Sequence, residues 1–277
     1  MSVFTDFWHY PFLFNALLAT LGLSLLCGSL SAMVVAKKYA FMGSSISHGA
    51  LLGVSVCMSF LSPETEAFSL YLFLGTLAIT LIAVAPLAYT TFRQKLPSDA
   101  LIGLFFTATM GTGLLIHQAF GRSQGDLLGF LFGNILTITQ IDLFIILFLL
   151  MIVLPVIWAK RLHWIHFIYN EQAASIQGLK TKIYHYTLFL FITLVIVAGL
   201  KISGVILINS FLLIPGIFAL KHAPKALDTF TYSLLFASIT AMLGLFLANA
   251  LNLPTGATVA VIQAFAYFAS LLLVKKA

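Results

Sequence analysis

The sequence predicts an all-α, polytopic membrane protein. Three observations carry that reading. Hydrophobic residues make up 61% of the 277-residue chain and charged residues only 8%. Ordinary globular domains hold roughly 45–50% and roughly 25%. Mean hydropathy is +1.08. The apolar residues also gather into runs close to the ~20 residues that cross a bilayer as a helix. So few charges cannot cover a soluble surface of this size. Soluble enzymes, nucleic-acid binders and disordered chains are thereby excluded.

About nine runs are long enough to span, or eight if the seventh does not cross: 12–36, 42–62, 67–92, 98–118, 141–159, 183–200, 203–220, 229–250 and 256–274. The first follows MSVFTDFWHY, which is acidic before it is basic. It lacks the basic start of a cleaved leader, so this helix is expected to remain. The second carries Ser44, Ser47 and His48, and its Ser45, Gly49 and Gly53 recur at i, i+4 and i+8. Such a small-residue stripe lets another helix approach closely, which predicts a central helix. The third is followed by Arg93 and Lys95, and the fourth ends beside His117 and Gln118. The fifth runs into Lys160 and Arg161. The seventh holds Gly204, Asn209, Ser210, Pro215 and Gly216, so it is a candidate broken or re-entrant segment. Cys27 and Cys57 lie in apolar runs and read as buried small hydrophobes.

Two connections are more than plain loops. Residues 121–140 have an apolar centre too short to span, and read as a short external interfacial or re-entrant segment. Residues 160–182 contain NEQAASIQGLKTK. Glu171, Gln172, Ala173 and Ala174 favour a short helix, and Gly178 predicts its stop. That helix suits docking into a partner's groove, and equally suits a solvated linker on the headgroups. The rest of the chain is one permease-like domain over 1–277. No soluble stretch could hold a nucleotide-binding fold, and no GxxxxGK[ST] sequence occurs.

Orientation follows from the basic residues. Under the nine-span reading, 12 of the 14 Lys and Arg fall on one side, and only Arg122 and Lys201 on the other. The basic side is cytoplasmic. The N-terminus is therefore predicted outside, and the C-terminus and Glu171 inside. The net charge of +6 reflects this bias and not nucleic-acid binding.

All eight acids, Asp6, Glu64, Glu66, Asp99, Asp126, Asp142, Glu171 and Asp228, are predicted in loops or at helix ends. A membrane-buried carboxylate relay, as a gradient-driven pump uses, is missing. His9, His163, His166 and His222 read as terminal or loop residues, and His185 as near a helix start. His48 and His117 are the histidines within spans. Ser44 and His48 share a helix face, where imidazole and hydroxyl can bind a transition metal or line a polar path. A histidine bonded to a neighbouring helix is the plainer alternative. For Asn209 and Ser210, a transport path and a proline kink stand as equal readings.

YAFMGSSISHGALLGV, DLLGFLFGNILTIT, NEQAASIQG and SGVILINSFLLIPGIFA, with the closing PTGATVAVIQAFAYFASLLLVKK, together resemble the membrane permease of bacterial zinc, manganese and iron ABC importers. The resemblance covers nearly the whole chain. It implies a type II ABC importer-like permease, paired as a homodimer around a path on the two-fold axis. It implies a separate cytoplasmic ABC ATPase that uses ATP, and a periplasmic or extracellular metal-binding protein. No cofactor is expected in this chain, and no catalysis. The transported divalent metal would meet His48, with Ser44 and His117 as weaker candidates and Ser47, Asn209 and Ser210 along the path. NEQAASIQG resembles the coupling helix of that family, which gives Glu171, Ala173, Ala174 and Gly178 an ATPase-coupling role. One departure stands out. The family commonly has GD-x-x-S/A-H-A here, and Ser44 occupies the aspartate's place. Competing readings are a gradient-driven transporter or channel, an importer of a metal chelate or vitamin, and a membrane enzyme or assembly factor. The last would want a catalytic cluster that the sequence lacks.

Overall fold

The computed structural model describes residues 10–60, 68–93, 97–120 and 138–273. Among these the chain is helical, in the order α1 Pro11–Ala36, α2 Met42–Phe60, α3 Phe68–Arg93, α4 Ser98–Phe120 and α5 Gln140–Ala159. Two short helices follow, α6 Arg161–Tyr169 and α7 Glu171–Ile176. The last four are α8 Thr181–Leu200, α9 Ile202–His222, α10 Asp228–Leu251 and α11 Thr255–Leu273. Among the described residues, eight helices are long and apolar enough to cross a membrane. α2 is the ninth long helix, with 19 residues. Five serines and His48 dilute its apolar character, and the same residues make it a packing helix.

The predicted spans match these helices within a few residues. The seventh span is the exception in kind. It is helical through Pro215, and its non-helical residue is Gly204, at φ 69° and ψ 171°. Only glycine adopts that region without strain. The chain reverses there. A Cβ built on Gly199 would lie 3.2 Å from Cδ1 of Ile208. Nine residues along a straight helix would separate them by about 13 Å. α8 and α9 thus fold back on one another at this point, and α9, at 21 residues, is long and apolar enough to cross a membrane. All but the last residues of the predicted external segment 121–140 lie outside the described residues.

α1 is the hub, buried along most of its length. It packs along α8–α9, α10 and α5. Small residues permit the approach. The Ser233 hydroxyl donates to the Gly28 carbonyl at 2.7 Å, and the Gly216 amide donates to the Ser31 hydroxyl at 2.7 Å. α2 lies between α3, α4 and α9. Its predicted stripe is used on two sides. Ser45 donates to the Ile102 carbonyl of α4 at 2.9 Å, and Gly49 faces Phe105. Gly53 faces Thr76 of α3 so closely that a Cβ would be 2.9 Å from its carbonyl oxygen. Cys27 and Cys57 are buried and unbridged, as the sequence indicated.

Candidate transport path and coupling site

The corner between α1 and α2 aims the second helix. The Tyr39 amide donates to the Val34 carbonyl and the Lys38 amide to the Val35 carbonyl, both at 2.9 Å. This is a Schellman stop with Lys38, at φ 61°, where glycine is usual. A side chain in that region costs about 1–2 kcal/mol. Tyr39 is buried against Phe189 and His185 of α8, with ring centroids 5.9 and 6.5 Å away. Burial, and then the Glu171 carboxylate, push its hydroxyl up to about 12, so it stays a neutral phenol.

On α2, Nδ1 of His48 lies 2.8 Å from the Ser44 carbonyl oxygen. A carbonyl only accepts, so Nδ1 donates this bond, and in the neutral tautomer Nε2 holds the lone pair. The ring meets Phe106 of α4 edge-on, centroids 4.8 Å apart. Ser44 and His48 are both half-buried, whereas Gly43, Ser45, Ile46 and Ser47 are buried. The predicted shared face is therefore the open face of an otherwise enclosed helix.

The other candidates divide. Ser47 is fully buried, bonding the Gly43 carbonyl at 2.8 Å and Asn209 Oδ1 at 3.4 Å. That pair ties α2 to α9. Ser210 donates to Gln263 Oε1 at 2.5 Å, and Gln263 donates to Thr240 at 3.3 Å. Ser210 thus links α9, α11 and α10. His117 is buried near the end of α4. It is eleven residues beyond Phe106, about 16 Å along the helix at 1.5 Å per residue. The structure does not bring it to His48. Among the described residues, no group of three or more His, Cys, Asp or Glu could hold a metal ion.

On the other connection, α7 has the limits the sequence indicated. Asn170 caps it, its Oδ1 accepting from the Ala173 amide at 2.9 Å. It ends in a second Schellman stop, with the Leu179 amide on the Ala174 carbonyl and the Gly178 amide on the Ser175 carbonyl, both 3.0 Å. Gly178 holds the left-handed position at φ 85°. Ala174 is buried and Ala173 half-buried, so the exposed face is Gln172, Ser175, Ile176 and Gln177. Ile176 is 86% exposed. Sequence reasoning passed over it. His163 and His166, read as loop residues, lie on α6 and line a groove of about 340 Å³ with Gln177 and Gly178. Glu171 turns inward. Its Oε2 is 2.5 Å from Lys37 Nζ, which sits 3.8 Å from the centroid of the Phe167 ring.

A model of the ABC 3 transport family matches residues 9–274. The chain belongs to that family. Among the relatives of this ABC 3 transport family member is a manganese transport system membrane protein of Synechocystis. The two are 30% identical, over 92% of this chain and 83% of the relative. A manganese transport system membrane protein of Listeria monocytogenes is 25% identical, over 97% of this chain and 92% of the relative. Among solved structures, PsaBC from Streptococcus pneumoniae in complex with Fab superposes with a TM-score of 0.81. It is 26% identical, over 97% of this chain and 94% of that one. An inward-facing transporter described as of metal-chelate type has a TM-score of 0.77 at 13% identity, covering 95% and 86%, and shares the fold alone. Family membership makes the chain a multi-pass transport permease, a class that works with an ATPase and a substrate-binding protein.

Proposed function

We propose that this permease moves a divalent transition metal ion into the cell, past His48, with hydrolysis of ATP by a separate subunit. The single observation that carries this is the placement of His48. Its Nδ1 is held by its own helix, which leaves the Nε2 lone pair on the far side of a half-buried imidazole. Neutral imidazole is a ligand for manganese, iron and zinc. The names of the relatives favour manganese. Ser44 supplies at most a neutral oxygen, so the ion is held loosely and released readily. Ser47 and Asn209 frame the path by fixing α2 on α9.

A second copy of the chain completes the path. α4 turns Gly103, Thr107 and Gly111 outward, and nothing lies within 4 Å of a Cβ built on either glycine. These positions flank Phe106, the neighbour of His48. A second helix approaching on that small-residue face closes over the imidazole. The positive-inside bias favours an external N-terminus and a cytoplasmic α7, which meets the ATPase through Gln172, Ser175 and Ile176. A metal-binding protein delivers the ion from outside. The chain itself supplies neither catalysis nor a resident cofactor.

The test is reconstitution of the permease with its ATPase and binding protein in vesicles, following radiolabelled manganese. Uptake that requires ATP inside the cytoplasmic compartment is expected. Uptake driven by a proton or sodium gradient without the ATPase would overturn the reading.

A further inference from the structure

We infer that the Lys37–Glu171 pair is the tie through which the coupling helix α7 moves the histidine-bearing helix α2, with Lys37 as a positioning residue. The inference rests on reading the chain as an ABC permease with α7 against the ATPase.

α7 is six residues long, and Ala174 is its one buried residue. Apolar packing alone holds such a short helix weakly. Its firm attachment is electrostatic. Glu171 Oε2 and Lys37 Nζ are 2.5 Å apart, with their side chains only 18% and 9% exposed. The Lys37 ammonium also lies over the Phe167 ring of α6. The other cytoplasmic cations on this connection, Lys160, Arg161, Lys180 and Lys182, are exposed. Withdrawing two charges from water is costly unless they stay paired. The pair therefore resists separation when α7 is displaced.

What Lys37 is joined to gives the pair its use. Lys37 is the last cap of α1, Lys38 follows in the left-handed region, and Tyr39 is wedged against Phe189 and His185. α2 starts at Met42, and His48 lies less than two turns further on. A pull on Lys37 meets a stiff corner and not a slack loop. The covalent routes from α7 lead back through Asn170 into α6 and on through Leu179 into α8, and neither helix carries His48. The ion pair spans 134 residues of sequence and shortens the route from ATPase to metal path.

The experiment uses the complete transporter in vesicles and measures ATP hydrolysis and radiolabelled manganese uptake together. Lys37→Met keeps the stem over Phe167 and removes the charge. Lys37→Met and Glu171→Gln are each expected to keep hydrolysis within about twofold while uptake per ATP falls about tenfold, and the double variant falls no further, as for one shared interaction. Lys37→Arg is expected to keep most of the uptake. Unchanged uptake per ATP in Lys37→Met overturns the inference. So does a parallel loss of hydrolysis, uptake and assembled complex, which would mark a purely structural pair. If the unaltered transporter shows no ATP-dependent uptake, the functional reading itself fails, and the inference with it.

Discussion

The imidazole of His48 is anchored to the backbone of Ser44, one turn earlier, at 2.8 Å from its carbonyl oxygen. This bond fixes the tautomer without using the serine hydroxyl. The two residues therefore have separable roles: Ser44 orients through its backbone, and its side chain is free to be changed.

That separation yields the first prediction. Ser44→Asp keeps the carbonyl and adds a carboxylate one turn before His48 on the same helix face, in the pattern the family commonly has. Manganese binding to the solubilised permease should tighten about tenfold or more, since an anionic oxygen is the better ligand for a hard cation. Uptake should slow through delayed release. Isothermal titration and vesicle uptake check the two halves. Destabilisation without tighter binding would mean that the carboxylate is merely a buried charge.

Gly178 tests the coupling helix. Its φ of 85° is the reason for glycine, because nothing lies within 4 Å of a built Cβ. Gly178→Val should cost about 1–2 kcal/mol locally and undo the stop. Membrane insertion should survive while uptake per ATP falls several-fold. Normal coupling in this variant would make α7 a linker.

Gly53 tests the packing of α2. A Cβ there would meet the Thr76 carbonyl at 2.9 Å and the Thr76 Cα at 3.1 Å, both backbone atoms that cannot swing aside. Gly53→Val should therefore destabilise the permease by about 1–3 kcal/mol. A lower thermal midpoint in detergent checks this.

Topology is open to thiol labelling, because both native cysteines are buried. Gln177→Cys on the exposed side of the coupling segment should react with an impermeant reagent only from the cytoplasm. Asn252→Cys, in the exposed left-handed turn after α10, should react only from outside. The reverse pattern would invert the orientation.

Much of this was legible in the sequence because lipid imposes strong local rules. The spans, the Ser45–Gly49–Gly53 stripe and the Gly178 stop are short-range patterns, and each has a structural counterpart. The Ser44–His48 face was legible for the same reason. The Lys37–Glu171 pair was not, since its partners are 134 positions apart and no periodicity links them. Ser210 was open to two readings, and only the packing of α11 shows that Gln263 takes its hydroxyl. Gly204, Pro215 and Gly216 all marked the seventh span as a candidate break, and only the backbone shows that the chain stays helical through Pro215 and leaves the helix at Gly204.

The most direct test of the account is manganese uptake by the complete transporter carrying His48→Gln. Glutamine can keep a hydrogen bond to the Ser44 carbonyl and preserve helix packing, but it offers no imidazole lone pair. Uptake below about a tenth of the unaltered rate is predicted, with assembly and basal ATP hydrolysis retained, as for loss of one metal ligand of roughly 1.4 kcal/mol or more. Near-normal uptake by His48→Gln would contradict the account and leave His48 a packing residue.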